Sequence, residues 1–382
     1  MQVSPFFAPA WRYGGPIEST YQLCRHLASA GCEVRVLTTD GDGFGGVLAV
    51  DRRRPVEIAP RLRIRYCPRL FRRSVSPTLL RLLASYVELA DVVHLQVAYS
   101  FPTIPTVMAC RMLSKPLVWS PRGALQRWTG TRRPQAKLLW ERVCRLVAPR
   151  SMVMHVTSEA ELIDTAARMP GVPTALIPNG VAIPERVGHL NGDARLRLGY
   201  LGRLDPKKGI ENLVHACRIL EESGFQYSLV IAGSGTPAYE ESMRALIERL
   251  SLAARVEMVG QVPHQRLEDL FRRIDVAVVP SYVENFGNVV VEALAHGVPV
   301  IAGRGTPWKR MEEMHCGLWV ENDSESLAQA IRRIGRMPLW EMGERGRRWM
   351  KQEFSWEESA QKMHDLYSRL IMPTRRCSKK VN

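Results

Sequence analysis

Residues 280–302 read PSYVENFGNVVVEALAHGVPVIA and compress the end of one strand, a helix and the start of the next strand into one short stretch. Asp275 to Ser281 (DVAVVPS) is a continuous apolar run of strand length, the pattern of a buried parallel strand, and Val298 to Ala302 is a second. The helix between them, roughly Gly287 to His296, is closed by Gly297 where a left-handed cap residue is wanted. Two carboxylates bracket this αβ unit: Glu284 in the loop at the carboxyl edge of the strand, and Glu292 inside the helix. The carboxyl ends of parallel strands are where open α/β sheets bind ligands, and a helix N-terminus adds free N–H groups and partial positive charge for an anion. The loop Asn285-Phe286-Gly287-Asn288 offers backbone donors to a sugar or phosphate, and each carboxylate can accept two hydrogen bonds from a vicinal diol. An arbitrary Glu pair would more often be solvated charge on a helix edge; the flanking NFGN and a basic cluster upstream argue against that here.

That basic cluster lies in Leu198-Gly-Tyr-Leu-Gly202-Arg203-Leu-Asp-Pro-Lys207-Lys208-Gly209. Arg203 leaves the end of a strand and Lys208 precedes a helix N-terminus, so both cations and the helix dipole can converge on one anion. A planar guanidinium fork and an ammonium point charge suit a diphosphate.

The chain of 382 residues exceeds what one hydrophobic core usually supports, so two domains are expected. The reading is α/β: residues 1–180 form a doubly wound N-terminal domain, 181–193 a Pro-, Gly- and polar-rich connection, 194–355 a second doubly wound domain, and 356–382 a C-terminal helix and basic tail. A make-up of 46% apolar and 24% charged residues is that of an ordinary globular protein. With no apolar run near membrane-span length and no signal-peptide layout, a cytoplasmic location is expected. The eight cysteines are scattered without a CxxC pair and read as reduced packing thiols.

The net charge of +15 is unevenly spread: residues 1–180 hold 24 Lys and Arg against 12 acids, the remainder 29 against 26. Arg52 to Arg54, Arg61, Arg63, Arg65, Arg69, Arg72 and Arg73 crowd one region beside an amphipathic helical pattern from Pro77 to Tyr86. Such a face suits an anionic membrane surface. Nucleic acid is not expected as a partner, because no aromatic platform or recognition-helix motif accompanies the charge.

Tyr13-Gly14-Gly15-Pro16 forms a strand-to-helix turn where two glycines permit close approach of a ligand. Gly41, Gly43 and Gly46 satisfy GxGxxG, but no helix pattern follows, so the dinucleotide fingerprint lacks its context; Asp40-x-Asp42 is a weak metal-binding match. His94 and Gln96 end the strand Asp91 to Gln96, and Arg122 sits in the turn Ser120-Pro-Arg-Gly123, placed to meet a phosphate or to anchor the turn.

The stretch SYVENFGNVVVEALAHGVPVIAG, with FFAPAWRYGGPIESTYQLCRHLASAGCEVRVLTT, SPRG and GRL…KG, resembles family 4 of the glycosyltransferases, and the likeness runs from about Val3 to Glu321. The resemblance implies the GT-B architecture, two Rossmann-like domains facing across a cleft. It implies retaining transfer of a sugar from a nucleoside-diphosphate sugar to a hydroxyl acceptor, a glycolipid or a growing surface polysaccharide. No metal or other cofactor is implied, and the place of work is the inner face of the plasma membrane. On the matching positions, Glu292 would hold the ribose hydroxyls, Glu284 the transferred sugar, and Arg203 and Lys208 the phosphates. Asn285 to Asn288 and Gly15 would line the donor, and Val262 would seat the base through its main chain. Gly14, Gln96 and Arg122 fall on the acceptor side. Members commonly carry His-x-His where this chain has His94-Leu-Gln96, which leaves either His94 or Gln96 to meet the sugar. A nucleotide-sugar epimerase of the same fold, or a non-catalytic protein binding anionic lipid or nucleic acid, is the alternative.

Overall fold

The computed structural model describes residues 1–43, 46–70, 75–127, 133–185, 195–263 and 266–372. The chain folds as two compact units, Met1–Gly180 with Trp356–Asn382, and Val181–Ser355. The expected connection 181–193 lies outside the described residues from 186 onward, as does the basic tail from 373.

In the first unit the elements run β1 (Gln2–Val3), α1 (Gly15–Ser29), β2 (Val34–Thr39), a small hairpin β3 (Gly41–Asp42) and β4 (Gly46–Val47), β5 (Val56–Ala59), β6 (Leu62–Cys67), α2 (Pro77–Glu88), β7 (Val93–Gln96), α3 (Thr103–Met112), β8 (Leu117–Ser120), α4 (Pro134–Leu146), β9 (Met152–Val156), α5 (Glu159–Arg168) and β10 (Thr174–Leu176). The sheet order is β10-β9-β8-β7-β1-β2-β6-β5, parallel throughout except for β5, which pairs antiparallel with β6. Right-handed crossovers carry the chain one way from β1 to β2 and the other way from β7 to β10, so α2 to α5 cover one face and α1 the opposite one. Leu79, Leu83, Val107, Cys110 and Cys144 pack with Trp119 on the first face. On the other, α1 packs against the last helix of the chain through Trp356, Ala360, Met363 and Leu366.

The glycine-rich stretch at the β2 exit, with its two acids, turns back on itself as a hairpin. Gly41 and Asp42 pair with Val47 and Gly46 in the hairpin, while Phe44 and Gly45 lie outside the described residues. Asp40 is buried against Arg69, with Arg52 Nε 3.0 Å away; Arg12 stands 3.8 Å from Asp42.

The second unit runs β11 (Leu196–Leu201), α6 (Ile210–Glu222), β12 (Tyr227–Ala232), α7 (Pro237–Arg249), β13 (Val256–Gly260), α8 (Leu267–Arg272), β14 (Val276–Val279), α9 (Asn288–Ala295), β15 (Val300–Gly303), α10 (Arg310–Glu313), β16 (Gly317–Val320), α11 (Ser324–Ile334) and α12 (Leu339–Glu353); α13 (Trp356–Ile371) belongs to the first unit. Its sheet, β13-β12-β11-β14-β15-β16, is wholly parallel, and the winding direction reverses between β11 and β14. The opening stretch folds as its pattern requires. β14 and β15 are fully buried, α9 starts after Gly287 in the left-handed region (φ 77°), and Gly297 (φ 73°) ends it.

Behind α9 lies α12, and their backbones touch through glycine: a Cβ on Gly343 would fall 1.9 Å from the Gly297 carbonyl oxygen. Helix propensity favours alanine over an interior glycine by about 1 kcal/mol. Here the contact reverses the sign, because α12 must move off α9 to admit a methyl group. Gly343→Ala is expected to destabilise the second unit by about 1–3 kcal/mol, read as a lowered thermal-unfolding midpoint; an unchanged or raised midpoint would show that the two helices are not locked together.

Candidate active site

The reversal of winding makes β11 and β14 neighbours, so the loops leaving their carboxyl ends meet although they are far apart in sequence. From β11 the chain passes Gly202, Arg203 and a short 3-10 turn, Pro206–Lys208, to Gly209, whose left-handed backbone (φ 62°) starts α6. A Cβ on Gly209 would meet the Pro280 carbonyl oxygen at 2.2 Å, so only glycine lets this turn lie against the end of β14. The Tyr282 N–H donates to the Lys207 carbonyl at 2.9 Å, and the Asn212 side-chain amide donates to the Tyr282 hydroxyl at 2.8 Å.

This close approach brings Lys208 and Glu284 into an ion pair, with side chains only 14% and 13% exposed. Ser281 Oγ donates to the same carboxylate at 3.2 Å, and the Glu284 backbone N–H is held by Gly305 at 2.8 Å. Arg203 is exposed one turn upstream, and Lys207 is half-buried beside it. Burial, then the positive charges of Arg203 and Lys208, pull the Lys207 ammonium below its usual range, the mark of a locally positive field. Sequence reading passed over Lys207; its adjacency to Lys208 was the available signal. Glu292 lies in the second turn of α9, one turn after Asn288, and both are half-buried. The Phe286 side chain does not line the site. It is 5% exposed and packs with Trp308 and Phe354, while Trp308 Nε1 donates to the Phe286 carbonyl, fixing the loop before α9. Val262 follows β13, half-buried.

The first-unit residues are placed differently. Gly14 (φ 80°) and Gly15 begin α1 at the exit from β1. His94 is buried with both ring nitrogens bonded: Nδ1 to the Tyr367 hydroxyl and Nε2 to Ser120 Oγ, each at 2.6 Å. Ser120 Oγ also bonds His155 Nδ1 at 2.6 Å, and His155 Nε2 reaches the Ile177 carbonyl at 2.9 Å. A carbonyl can only accept, so His155 carries its hydrogen on Nε2 and its Nδ1 accepts from Ser120. His94 then donates from Nε2 and accepts from Tyr367. The expectation that His94 acts at the sugar is therefore corrected, since its ring has no nitrogen left for a hydroxyl. Gln96 is likewise committed, donating to Gln2 at 3.0 Å and accepting from Arg122 Nε at 2.9 Å. Arg122, in a left-handed turn (φ 55°), also donates to Asn179 at 2.9 Å; its Nη2 is buried without a hydrogen-bonding partner among the described residues. Arg122 thus anchors the turn to the end of β7 and to the segment after β10.

Of the seven described arginines expected to form a basic face, five lie within 4.0 Å of a carboxylate. Besides the Asp40 pairs, Arg54 meets Asp51 at 3.1 Å, Arg61 meets Glu33 at 3.9 Å and Arg63 meets Glu57 at 2.9 Å. Arg72 and Arg73 lie outside the described residues. Among the described residues no group of His, Cys, Asp and Glu has the arrangement of a metal site, and no helix is long and apolar enough to cross a membrane.

Fold and site together define the class: a two-unit α/β protein of parallel sheets, with a carboxylate–cation cluster at the switch point of the second. Residues 13–183 match the profile of Glycosyltransferase Family 4, and residues 185–353 that of Glycosyl transferases group 1. The chain is 31% identical over 254 residues to D-inositol 3-phosphate glycosyltransferase of Streptomyces coelicolor, covering 59% of this chain and 54% of that protein. Against this and other curated relatives the chain spans between 32% and 60% of their length. Sucrose-phosphate synthase from Thermosynechococcus elongatus shares the fold at TM-score 0.76 and 24% identity, covering 97% of this chain and 99% of that one. Anabaena HepE, in complex with UDP-glucose, shares it at TM-score 0.71 and 18% identity, over 96% and 99%. The chain belongs to the family 4 glycosyltransferases, with the GT-B fold.

The two buried imidazoles give a stability signature. Burial, then neighbouring positive charge, holds His94 well below its usual pKa and brings His155 down to about 3. An unfolded histidine takes up a proton near pH 6.5 while these do not, so their contribution to stability is level above about 6.5 and falls as the pH drops toward 3. The expected slope is about 1.4 kcal/mol per pH unit for each histidine. Chemical denaturation between pH 7.5 and 5, above the range of ordinary carboxylates, checks this; a level profile across pH 6 would contradict neutral imidazoles.

Proposed function

We propose that the chain transfers a sugar from a nucleoside-diphosphate sugar to a hydroxyl of a lipid-linked or growing surface-polysaccharide acceptor, with retained configuration and without a metal. The observation that carries this reading is the convergence of Lys208, Lys207 and Arg203 with Glu284 where β11 and β14 end. Breaking the bond between the anomeric carbon and the diphosphate oxygen leaves an electron-poor carbon and adds about one negative charge to the leaving group. Arg203, Lys208 and the α9 N-terminus stabilise that charge, which is the work a metal does elsewhere. Asp40 and Asp42, with guanidinium groups beside them, are poorly suited to binding a cation.

In the free protein Glu284 holds Lys208. A bound diphosphate competes for the ammonium and frees the carboxylate for sugar hydroxyls, so donor binding exchanges one partner of each group for another. The acceptor oxygen attacks from the side the diphosphate leaves, and its proton passes to the departing phosphate oxygen. Glu284 positions the sugar and forms no covalent bond to it, unlike the nucleophile of retaining hydrolases. Glu292 takes the ribose diol, the Asn285 to Asn288 backbone the sugar and phosphates, and the main chain at Val262 the base. HepE, a fold neighbour in complex with UDP-glucose, supports a nucleotide-sugar donor. The place of work is the cytoplasmic membrane surface.

Lys208→Ala is expected to lower kcat by about 10²–10³-fold, while EDTA leaves turnover intact; activity that disappears in EDTA would refute the metal-free reading. Titration with UDP, GDP and ADP separates the two acids. Glu292→Gln should weaken the preferred diphosphate about tenfold or more, whereas Glu284→Gln should not weaken it, because Lys208 is then no longer held by a carboxylate, and should lower kcat/KM with the intact donor. Equal effects of both substitutions on the bare diphosphate would overturn the division of roles.

A further inference from the structure

From Phe101 to Arg150 the chain carries ten Lys and Arg against one acid, Glu141. That acid is buried and ion-paired to Arg127, so it contributes no surface charge. Two helices of this stretch, α3 and α4, lie side by side on one face of the first sheet, joined where Arg111 Nη1 donates to the Leu146 carbonyl at 2.6 Å. They bury Val107, Cys110 and Cys144 against the sheet. Their outward surface carries exposed apolar side chains: Met112 is 79% exposed, Leu146 76% and Leu139 63%, with Leu138 and Met108 beside them. Leu138, Arg142 and Leu146 follow one another at four-residue spacing, so leucines and arginines share one strip of α4.

We infer that the outward face of α3 and α4 is the surface by which this protein docks on an anionic phospholipid bilayer. The inference rests on the membrane part of the proposed function and replaces the region first expected to do it, since five of the seven described arginines from Arg52 to Arg69 have a carboxylate beside them. Three occupants compete for such a face. A second copy of the chain would set Arg111, Arg142 and Arg145 against themselves. A nucleic acid would satisfy the arginines but leave the leucines and methionines against a charged backbone, with no aromatic platform among the described residues for its bases. An anionic bilayer satisfies both, taking the apolar side chains below the headgroups and the guanidinium groups among the phosphates.

The full chain is sedimented with vesicles of phosphatidylcholine alone and of phosphatidylcholine with phosphatidylglycerol in equal parts. Binding is expected only to the anionic vesicles and weakens with salt. Arg142→Glu with Arg145→Glu, and separately Leu139→Glu with Leu146→Glu, should each weaken it by about tenfold or more, with thermal midpoints unchanged. Arg53→Glu with Arg54→Glu should bind as the parent does. Failure of the parent to bind, equal loss from the Arg53 and Arg54 pair, or loss from the arginine pair with none from the leucine pair would overturn the inference; the last outcome would mark a general polyanion surface. Since the assay contains no donor, and diphosphate titration of the same variants contains no lipid, failure of the docking surface and failure of the transfer reading are told apart.

Discussion

The ion pair between Lys208 and Glu284 joins residues 76 apart in sequence, and its existence depends on one topological fact, that β11 and β14 are neighbours in the second sheet. A doubly wound sheet reverses direction once, and at that place two loops leave adjacent strands without a helix between them. Cations leave one strand and a carboxylate the other. Neither loop alone would hold a charged group this far from solvent, since an isolated buried charge is costly to strip of water. As a pair both groups stay charged there, because each compensates the other.

Backbone contact supplies the rigidity. Gly209 lies against the Pro280 carbonyl, Gly233 against the Gly202 carbonyl and Gly305 against the Tyr282 carbonyl, all closer than any side chain allows. Loops packed backbone to backbone have little room to drift, and behind them Phe286, Trp308, Trp349 and Phe354 form an aromatic cluster under the start of α9. The charged groups at the surface therefore rest on a framework with few alternative packings.

The first unit spends its polar residues in another way. A chain of hydrogen bonds runs from Tyr367 through His94, Ser120 and His155 to the Ile177 carbonyl, and a second from Arg122 through Gln96 to Gln2. Together they tie the carboxyl ends of β7, β8 and β9 to helix α13, which comes from the far end of the chain. Buried polar groups satisfied in this directional way fix one arrangement of strands and helix, because each shift would orphan a donor or acceptor. His94 belongs to that framework.

Apolar periodicity, glycine position and the order of strand and helix patterns were enough to place β14, α9, β15, the exit of β11 and the doubly wound character of both halves, because parallel strands are buried on both faces and read as unbroken apolar runs. The acidic pair and the two cations were legible for the same reason: their places at strand ends and helix starts follow from local pattern. What the sequence could not decide was which neighbours each charge would meet. His94 and Gln96 end a strand in the expected place, yet Tyr367, Ser120 and Gln2 occupy their polar atoms; and the arginines from Arg52 to Arg69 look like a basic face until Asp40, Glu33 and Glu57 are folded against several of them. Local order follows from residues close in sequence, while ion pairing and burial depend on contacts between residues tens or hundreds of positions apart, which only the tertiary structure brings together.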